Sequence, residues 1–174
     1  MQTKLIYKKV SLKQLEILME ISRSTFVDAF EKDNRPGDFK DYIDAAFNRQ
    51  QIESEIIDPN SEFYFVYLNE TFVAYFKLNE HKAQSEPFGS DALELSRIYV
   101  FKPFQSLQLG SQIIEKIIDI AREKNKKCLW LGVWQQNVRA VLFYERHGFT
   151  KFDTHSFYIG NDKQTDWLMR LDVI

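Results

Sequence analysis

Apolar and polar positions along this chain switch between a period of about two and a period of about 3.6, and each switch marks an element. The most informative stretch runs from Leu93 to Lys124, LELSRIYVFKPFQSLQLGSQIIEKIIDIAREK. It reads as a β-strand, a short polar loop and a long helix reached through Gly110. In that helix Ile113, Ile114, Ile117, Ile118 and Ala121 share one face, while Glu115, Lys116, Asp119, Arg122 and Glu123 fall mostly on the other. A strand feeding a tight loop into a helix gathers unpaired N–H groups at one place. With the helix dipole behind them, they suit an anion such as a pyrophosphate. The same pattern also fits an ordinary βα unit of an α/β core.

The rest of the chain divides in the same way. Leu5 to Val10 reads as a first strand. Ser11 starts a helix, because Ser11 and Gln14 have capping-box spacing and Leu12, Leu15, Leu18 and Met19 follow. Asn34-Arg35-Pro36-Gly37 reads as a loop, with Asp38 capping a second helix striped by Phe39, Tyr42, Ile43, Ala46 and Phe47. A third helical segment, Gln50 to Ile57, stops at Asp58-Pro59-Asn60. Strands are expected at Glu62–Leu68 and Thr71–Leu78, joined by Asn69-Glu70, and residues 80–91 read as a polar loop. After the long helix come a strand at Cys128–Val133 and a short helix from Asn137 to Arg146, ended by His147-Gly148. Strands Phe149–Ile159 and Thr165–Leu171 close the chain around Gly160-Asn161-Asp162. Hairpins mixed with crossovers imply an α/β domain with a mixed sheet rather than a doubly wound parallel one.

Composition narrows the class. A chain of 174 residues with 44% hydrophobic and 28% charged positions is expected to form one domain, residues 1–174, with a core large enough to need no staples. A net charge of −2 argues against a dedicated nucleic-acid binder, and no basic recognition helix appears. Cys128 is the one cysteine, which excludes an internal disulfide and a cysteine-based zinc site. His81, His147 and His155 are too scattered to suggest a metal. The N-terminus lacks the apolar stretch of a signal peptide, and no window approaches the roughly 18 apolar residues of a membrane span. A cytoplasmic protein without a membrane partner is the expectation. Fifteen Phe and eight Tyr fit a substantial core and a lined groove.

Two segments, taken together, resemble the GNAT superfamily of N-acetyltransferases. Gln105-Ser106-Leu107-Gln108-Leu109-Gly110 matches the family's Gln/Arg-x-x-Gly-x-Gly/Ala loop, which cradles the pyrophosphate of acetyl-CoA. Asn137 to Phe149, NVRAVLFYERHGF, follows the family's N-x-x-A-x-x-F-Y-x-x-x-G-F pattern. Residues 25–30, 77–86, 129–137 and 155–169 further resemble bacterial PaiA-type polyamine N-acetyltransferases, a type also described as regulatory. The resemblance implies a mixed, largely antiparallel sheet of about seven strands flanked by helices. An acetyl-CoA cleft would open between the fourth and fifth strands, where they splay. Where the family has a central glycine this chain has Gln108, and Ser106 stands where a second glycine is common. A left-handed residue 108 would cost about 1–2 kcal/mol.

The resemblance also implies roles. Tyr144 would donate a proton to the leaving thiolate. Glu94, eleven residues before Gln105, is the candidate base, although it also fits a strand glutamate that faces solvent or pairs with Arg97. Backbone groups of Ile98, Tyr99 and Val100 would pair with the pantetheine arm. The loop from Gln105 through Gly110 to Ser111 would hold the phosphates, and Asn137 would touch the cofactor. Arg139 and Lys102 could reach phosphates, but a solvated surface position is the better reading for both. Residues 28–62 hold ten acidic side chains against four basic ones. As a roof over the acceptor site they would favour a polycation such as spermidine or spermine. The chain would then be a monomeric or dimeric N-acetyltransferase acting on a small amine. A protein or peptide acetyltransferase and a CoA-binding regulatory domain are the alternatives.

Overall fold

The computed structural model describes residues 4–173. Its strands are β1 (Leu5–Lys9), β2 (Ser61–Leu68), β3 (Thr71–Asn79), β4 (Ala92–Val100), β5 (Cys128–Trp134), β6 (Thr150–Ile159) and β7 (Asp162–Asp172). They form one open sheet in the order β1-β2-β3-β4-β5-β7-β6. Neighbours are antiparallel except β4 and β5, which run parallel. The α/β fold expected from the sequence is the fold observed.

Alternation along the strands supplies two apolar faces, and helices cover both. α1 (Leu15–Phe30), α2 (Pro36–Ala46) and α3 (Arg49–Ile57) lie over one face. There Leu18, Phe39, Ile43, Phe47 and Ile52 pack on Phe63, Phe65 and Tyr75. On the other face lie α4 (Leu109–Glu123) and α5 (Val138–Arg146), where Ile113, Ile114, Ile117 and Ala121 meet Val66, Phe76, Leu93, Leu129 and Met169. Ile118, expected in the buried stripe, is only partly buried, and Ile120 takes that place.

Two helix starts differ from expectation. The Ser11–Gln14 capping box is present, but it closes a 3₁₀ turn, Leu12–Gln14, and α1 begins at Leu15. Pro36 and Gly37, read as loop, open α2 instead, with Arg35 at the N-cap and Asp38 in the first turn. A proline at the first helical position loses no hydrogen bond that the helix would have made. The expected cap and the proline–glycine break were both misplaced for that reason.

β4 carries the feature that positions the site. Lys77 pairs with Arg97 and Leu78 with Leu95, so Ser96 is an extra residue that bulges the strand. β4 meets β5 only where Ala92–Glu94 pair with Cys128–Trp130. Beyond Glu94 the two strands part, and no described strand pairs with β4 from Leu95 to Val100 on that side.

Beneath α3 an ion cluster is buried. Lys77 Nζ lies 2.8 Å from Glu55 Oε2, and Arg97 Nη1 lies 3.5 Å from the same oxygen. Burial alone would raise the Glu55 carboxyl, but Arg97 and Lys77 outweigh it and hold the group below the usual carboxylate range. Burial and the neighbouring Arg97 push Lys77 down, against the pull of Glu55.

Candidate active site

Where β4 and β5 part, a cleft of about 370 Å³ opens. Its β4 wall includes Glu94, Ser96, Arg97, Ile98 and Tyr99, and its β5 wall Gly132, Val133 and Trp134. Asn137 and Tyr144 reach it from α5, and His155 and Asp166 from β6 and β7. Unpaired peptide groups along one wall are what an extended amide-bearing ligand needs in order to bind as a missing strand.

Tyr144 stands where the sequence places it. Its side chain is 9% exposed and lines the cleft, and burial pushes the phenol well above its usual range. The hydroxyl therefore stays protonated at neutral pH and is equipped to donate. Asn137 lines the same cleft, but its Oδ1 also accepts from Ala140 N at 3.3 Å and so starts α5.

The loop before α4 is a 3₁₀ turn, Lys102–Leu107, followed by Gln108 at φ 56°, ψ 22°. The strained left-handed conformation thus falls on the residue that replaces the family's glycine. No side chain caps α4, which leaves the N–H groups of its first turn available to a ligand. Ser106, Leu107 and Gln108 are exposed and Ser111 is half-buried, whereas Leu109 buries its side chain in the core and offers only backbone. Gln105 Nε2 donates to Val100 O at 3.0 Å, tying the loop to the end of β4. A Cβ at Gly110 would meet the Phe143 ring at 3.2 Å, so the small residue there lets α4 approach α5. These donors, with the open β4 edge, fit the pyrophosphate and pantetheine parts of acetyl-CoA.

Glu94 is neither solvent-facing nor paired with Arg97. It is 5% exposed and accepts from Ser85 Oγ at 2.6 Å, Ser85 N at 2.9 Å and Asn79 Nδ2 at 3.2 Å. Val100 belongs to an adjoining depression with Ser24, Thr25 and Asp28. Lys102 is 3.9 Å from Asp28, and Arg139 is exposed.

The acidic roof needs correction. From residues 28–62 the cleft receives Phe30, Tyr42 and Phe47, which join Phe26 in an aromatic wall. Phe26 stacks on Tyr42 with centroids 5.3 Å apart. Three acids of that stretch are ion-paired away from the cleft: Asp44 holds Arg23 and Lys40, Glu55 holds Lys77, and Glu62 holds Lys9 and Lys124, while Asp28 lines the adjoining depression. The carboxylates in the cleft are Glu94 and Asp166.

Sequence reasoning left His155 without a role. Its Nδ1 lies 2.7 Å from Glu86 Oε1 and its Nε2 lies 3.4 Å from Asp166 Oδ2. Burial raises the Asp166 carboxyl, and His155 offsets part of that rise. The two carboxylates engage opposite ring nitrogens, so the three groups cannot converge on one ion. Among the described residues no cluster suited to a metal is present, and no helix is long and apolar enough to cross a membrane.

Residues 16–149 match the acetyltransferase (GNAT) family. An uncharacterized N-acetyltransferase of Lactobacillus delbrueckii subsp. lactis is 41% identical over 162 residues, covering 93% of this chain and 94% of that protein. Among solved structures, a PaiA N-acetyltransferase from Thermoplasma acidophilum in complex with coenzyme A superposes with a TM-score of 0.76. It is 18% identical, over 97% of this chain and 99% of that one. A spermidine N-acetyltransferase from Vibrio cholerae, in complex with CoA and spermine, superposes with a TM-score of 0.73. It is 16% identical, over 98% of this chain and 96% of that one.

Proposed function

The chain belongs to the acetyltransferase (GNAT) family and is an acetyl-CoA-dependent N-acetyltransferase, and on that footing we propose that its acceptor is a primary amine of a polyamine such as spermidine or spermine. The observation that carries this reading is the make-up of the cleft. The carboxylate of Asp166 lines the cleft together with Phe26, Phe30, Tyr42 and Phe47. Carboxylates suit ammonium groups, and aromatic faces suit both the methylene stem and further cations along it. Asp28, in the adjoining depression, offers a carboxylate for a distal ammonium. The Vibrio cholerae protein of the same fold was crystallised with spermine.

In this mechanism acetyl-CoA supplies an activated acetyl group. The peptide groups of Ile98, Tyr99 and Val100 hold the pantetheine arm against β4. The loop from Gln105 to Gly110, with Ser111 and the first turn of α4, holds the phosphates. A free N–H of the bulged β4 stabilises the charge that grows on the thioester oxygen. Tyr144 gives its proton to the departing sulfur.

The test is CoA release from acetyl-CoA with spermidine, spermine, short diamines and a lysine peptide, run on the wild type and on Tyr144→Phe. Release with polyamines that collapses in the variant supports the reading. Release with the peptide alone moves the acceptor to proteins. No release despite CoA binding points to a regulatory domain.

A further inference from the structure

We propose that His155, oriented by Glu86, takes the proton from the acceptor ammonium, which Asp166 holds beside it. The proposal rests on the reading above that the acceptor is an amine. An amine with an ordinary pKa near 10 arrives protonated, and freeing its lone pair at pH 7 costs about 4 kcal/mol. Some group in the cleft must accept that proton. Glu94, expected from the sequence to do so, has its oxygens engaged by Ser85 and Asn79. It anchors the loop of residues 80–91 to β4.

That loop is held at three successive residues. Gln84 Oε1 accepts from Trp130 Nε1 at 2.8 Å, Ser85 donates twice to Glu94, and Glu86 binds His155. Glu86 is thereby set against the imidazole, and the two contacts of the ring are unequal. The 2.7 Å contact at Nδ1 is a charge-assisted bond that places a proton on that nitrogen. The 3.4 Å contact at Nε2 is too long to hold one as firmly. Nε2 is then left with its lone pair beside Asp166. An ammonium can donate to Asp166 Oδ2 and to Nε2 together.

Space for it exists because residue 132 is glycine. A Cβ there would stand 3.5 Å from Asp166 Oδ2 and 3.9 Å from His155 Nε2. Any longer side chain would cover both atoms. Arg97, Tyr42, Tyr99, Glu94 and Tyr144 complete the charged and titratable groups lining the cleft. Glu86 and Asp166 flank the ring on opposite sides.

The step balances. The ammonium N–H bond breaks, its proton joins Nε2, and the freed electron pair forms the N–C bond to the acetyl carbon. The C–S bond breaks, sulfur takes the Tyr144 proton, and a second amine proton restores Tyr144. Once the product leaves, the imidazolium of His155, whose side chain is 24% exposed, gives its Nε2 proton to water and returns to the Nδ1–H tautomer. One proton is released per acetyl transferred.

The experiment has two arms. In the first, His155→Ala should lower kcat with spermidine by about 100- to 1000-fold near neutral pH, with CoA affinity unchanged. The deficit should shrink as pH rises and the amine deprotonates in solution, and added imidazole should restore part of the rate. Glu86→Gln should lower kcat by about tenfold with KM unmoved, and Asp166→Asn should raise KM for spermidine. A loss that is the same at every pH and is not rescued by imidazole overturns the proposal, leaving His155 as a clasp for the loop. The second arm needs no turnover. In ¹⁵N NMR of the wild type, Nδ1 should carry a proton throughout and Nε2 should lack one at mildly alkaline pH, with Nε2 shifted on adding spermidine. A ring doubly protonated across the whole range overturns the proposal. A wild type that acetylates no amine yet shows the Nδ1–H tautomer would fail the polyamine reading alone.

Discussion

Replacing Glu55 by glutamine should destabilise this protein far more than replacing its partner Lys77 by methionine. The side chains of Lys77, Glu55 and Arg97 are 8%, 13% and 18% exposed, so none can turn to water without moving α3 or the sheet. Glu55→Gln leaves two buried cations facing a neutral amide. Breaking a buried pair in this way costs about 3–5 kcal/mol. For a chain of this size 1 kcal/mol shifts Tm by about 2–4 °C, so a fall of about 6–20 °C is expected. Lys77→Met removes an ammonium that burial already disfavours and leaves Glu55 paired with Arg97. Its expected cost is below about 1.5 kcal/mol. Because Glu55 is held below its unfolded value, its contribution is complete above the unfolded carboxyl pKa and is lost as pH falls through the folded one. The gap between wild type and Glu55→Gln should therefore close in acid. Thermal and urea unfolding followed by circular dichroism between acid and neutral pH measures all of this. Equal losses for the two variants, or a gap that does not change with pH, would refute the reasoning.

Further outcomes are expected elsewhere in the chain. Tyr144→Phe should lower kcat by about 100-fold or more while calorimetry finds CoA binding unchanged, because in the proposed mechanism the hydroxyl acts only on the leaving sulfur. Gln108→Gly should raise Tm by a few degrees. It removes the left-handed penalty of about 1–2 kcal/mol at φ 56° against a glycine entropy cost of about 0.5–1. The same variant should bind CoA at least as tightly. Gly160→Ala should destabilise by more than about 1–2 kcal/mol in urea unfolding, since φ is +58° and its Cβ would fall 2.5 Å from Asp38 Cγ.

The parts of the structure that were legible are those written in local pattern. The period of Ile113, Ile114 and Ile117 located α4, and the N-x-x-A-x-x-F-Y run located α5 and Tyr144. The cost of a non-glycine at position 108 could be stated as a condition, and the backbone meets that condition. What pattern could not convey is direction. Ten acids between residues 28 and 62 read as a charged roof, but a count does not say which way a side chain points, and the roof is aromatic. Phe26, Tyr42 and Phe47 look like any helix stripe in the sequence. Glu86, His155 and Asp166 lie 69 and 11 positions apart and share no motif spacing. Only the folded sheet brings them together. Pro36 was misread because the same residue serves as a helix breaker and a helix starter.

The parting of β4 from β5 has a mechanical meaning. Only three residue pairs stitch β1–β4 to β5–β7–β6 along the sheet, so the seam is the compliant line of an otherwise continuous ladder. In the proposed binding mode a pantetheine arm closes part of that seam with hydrogen bonds of its own. The ligand then acts as an interfacial strand that stiffens the sheet, and each departure of CoA unpicks it. Amide exchange on the free edge of β4 should accordingly slow when CoA is bound, while amides paired between β2 and β3 hold their rates. On that reading the catalytic cycle is also a cycle of sheet completion and release.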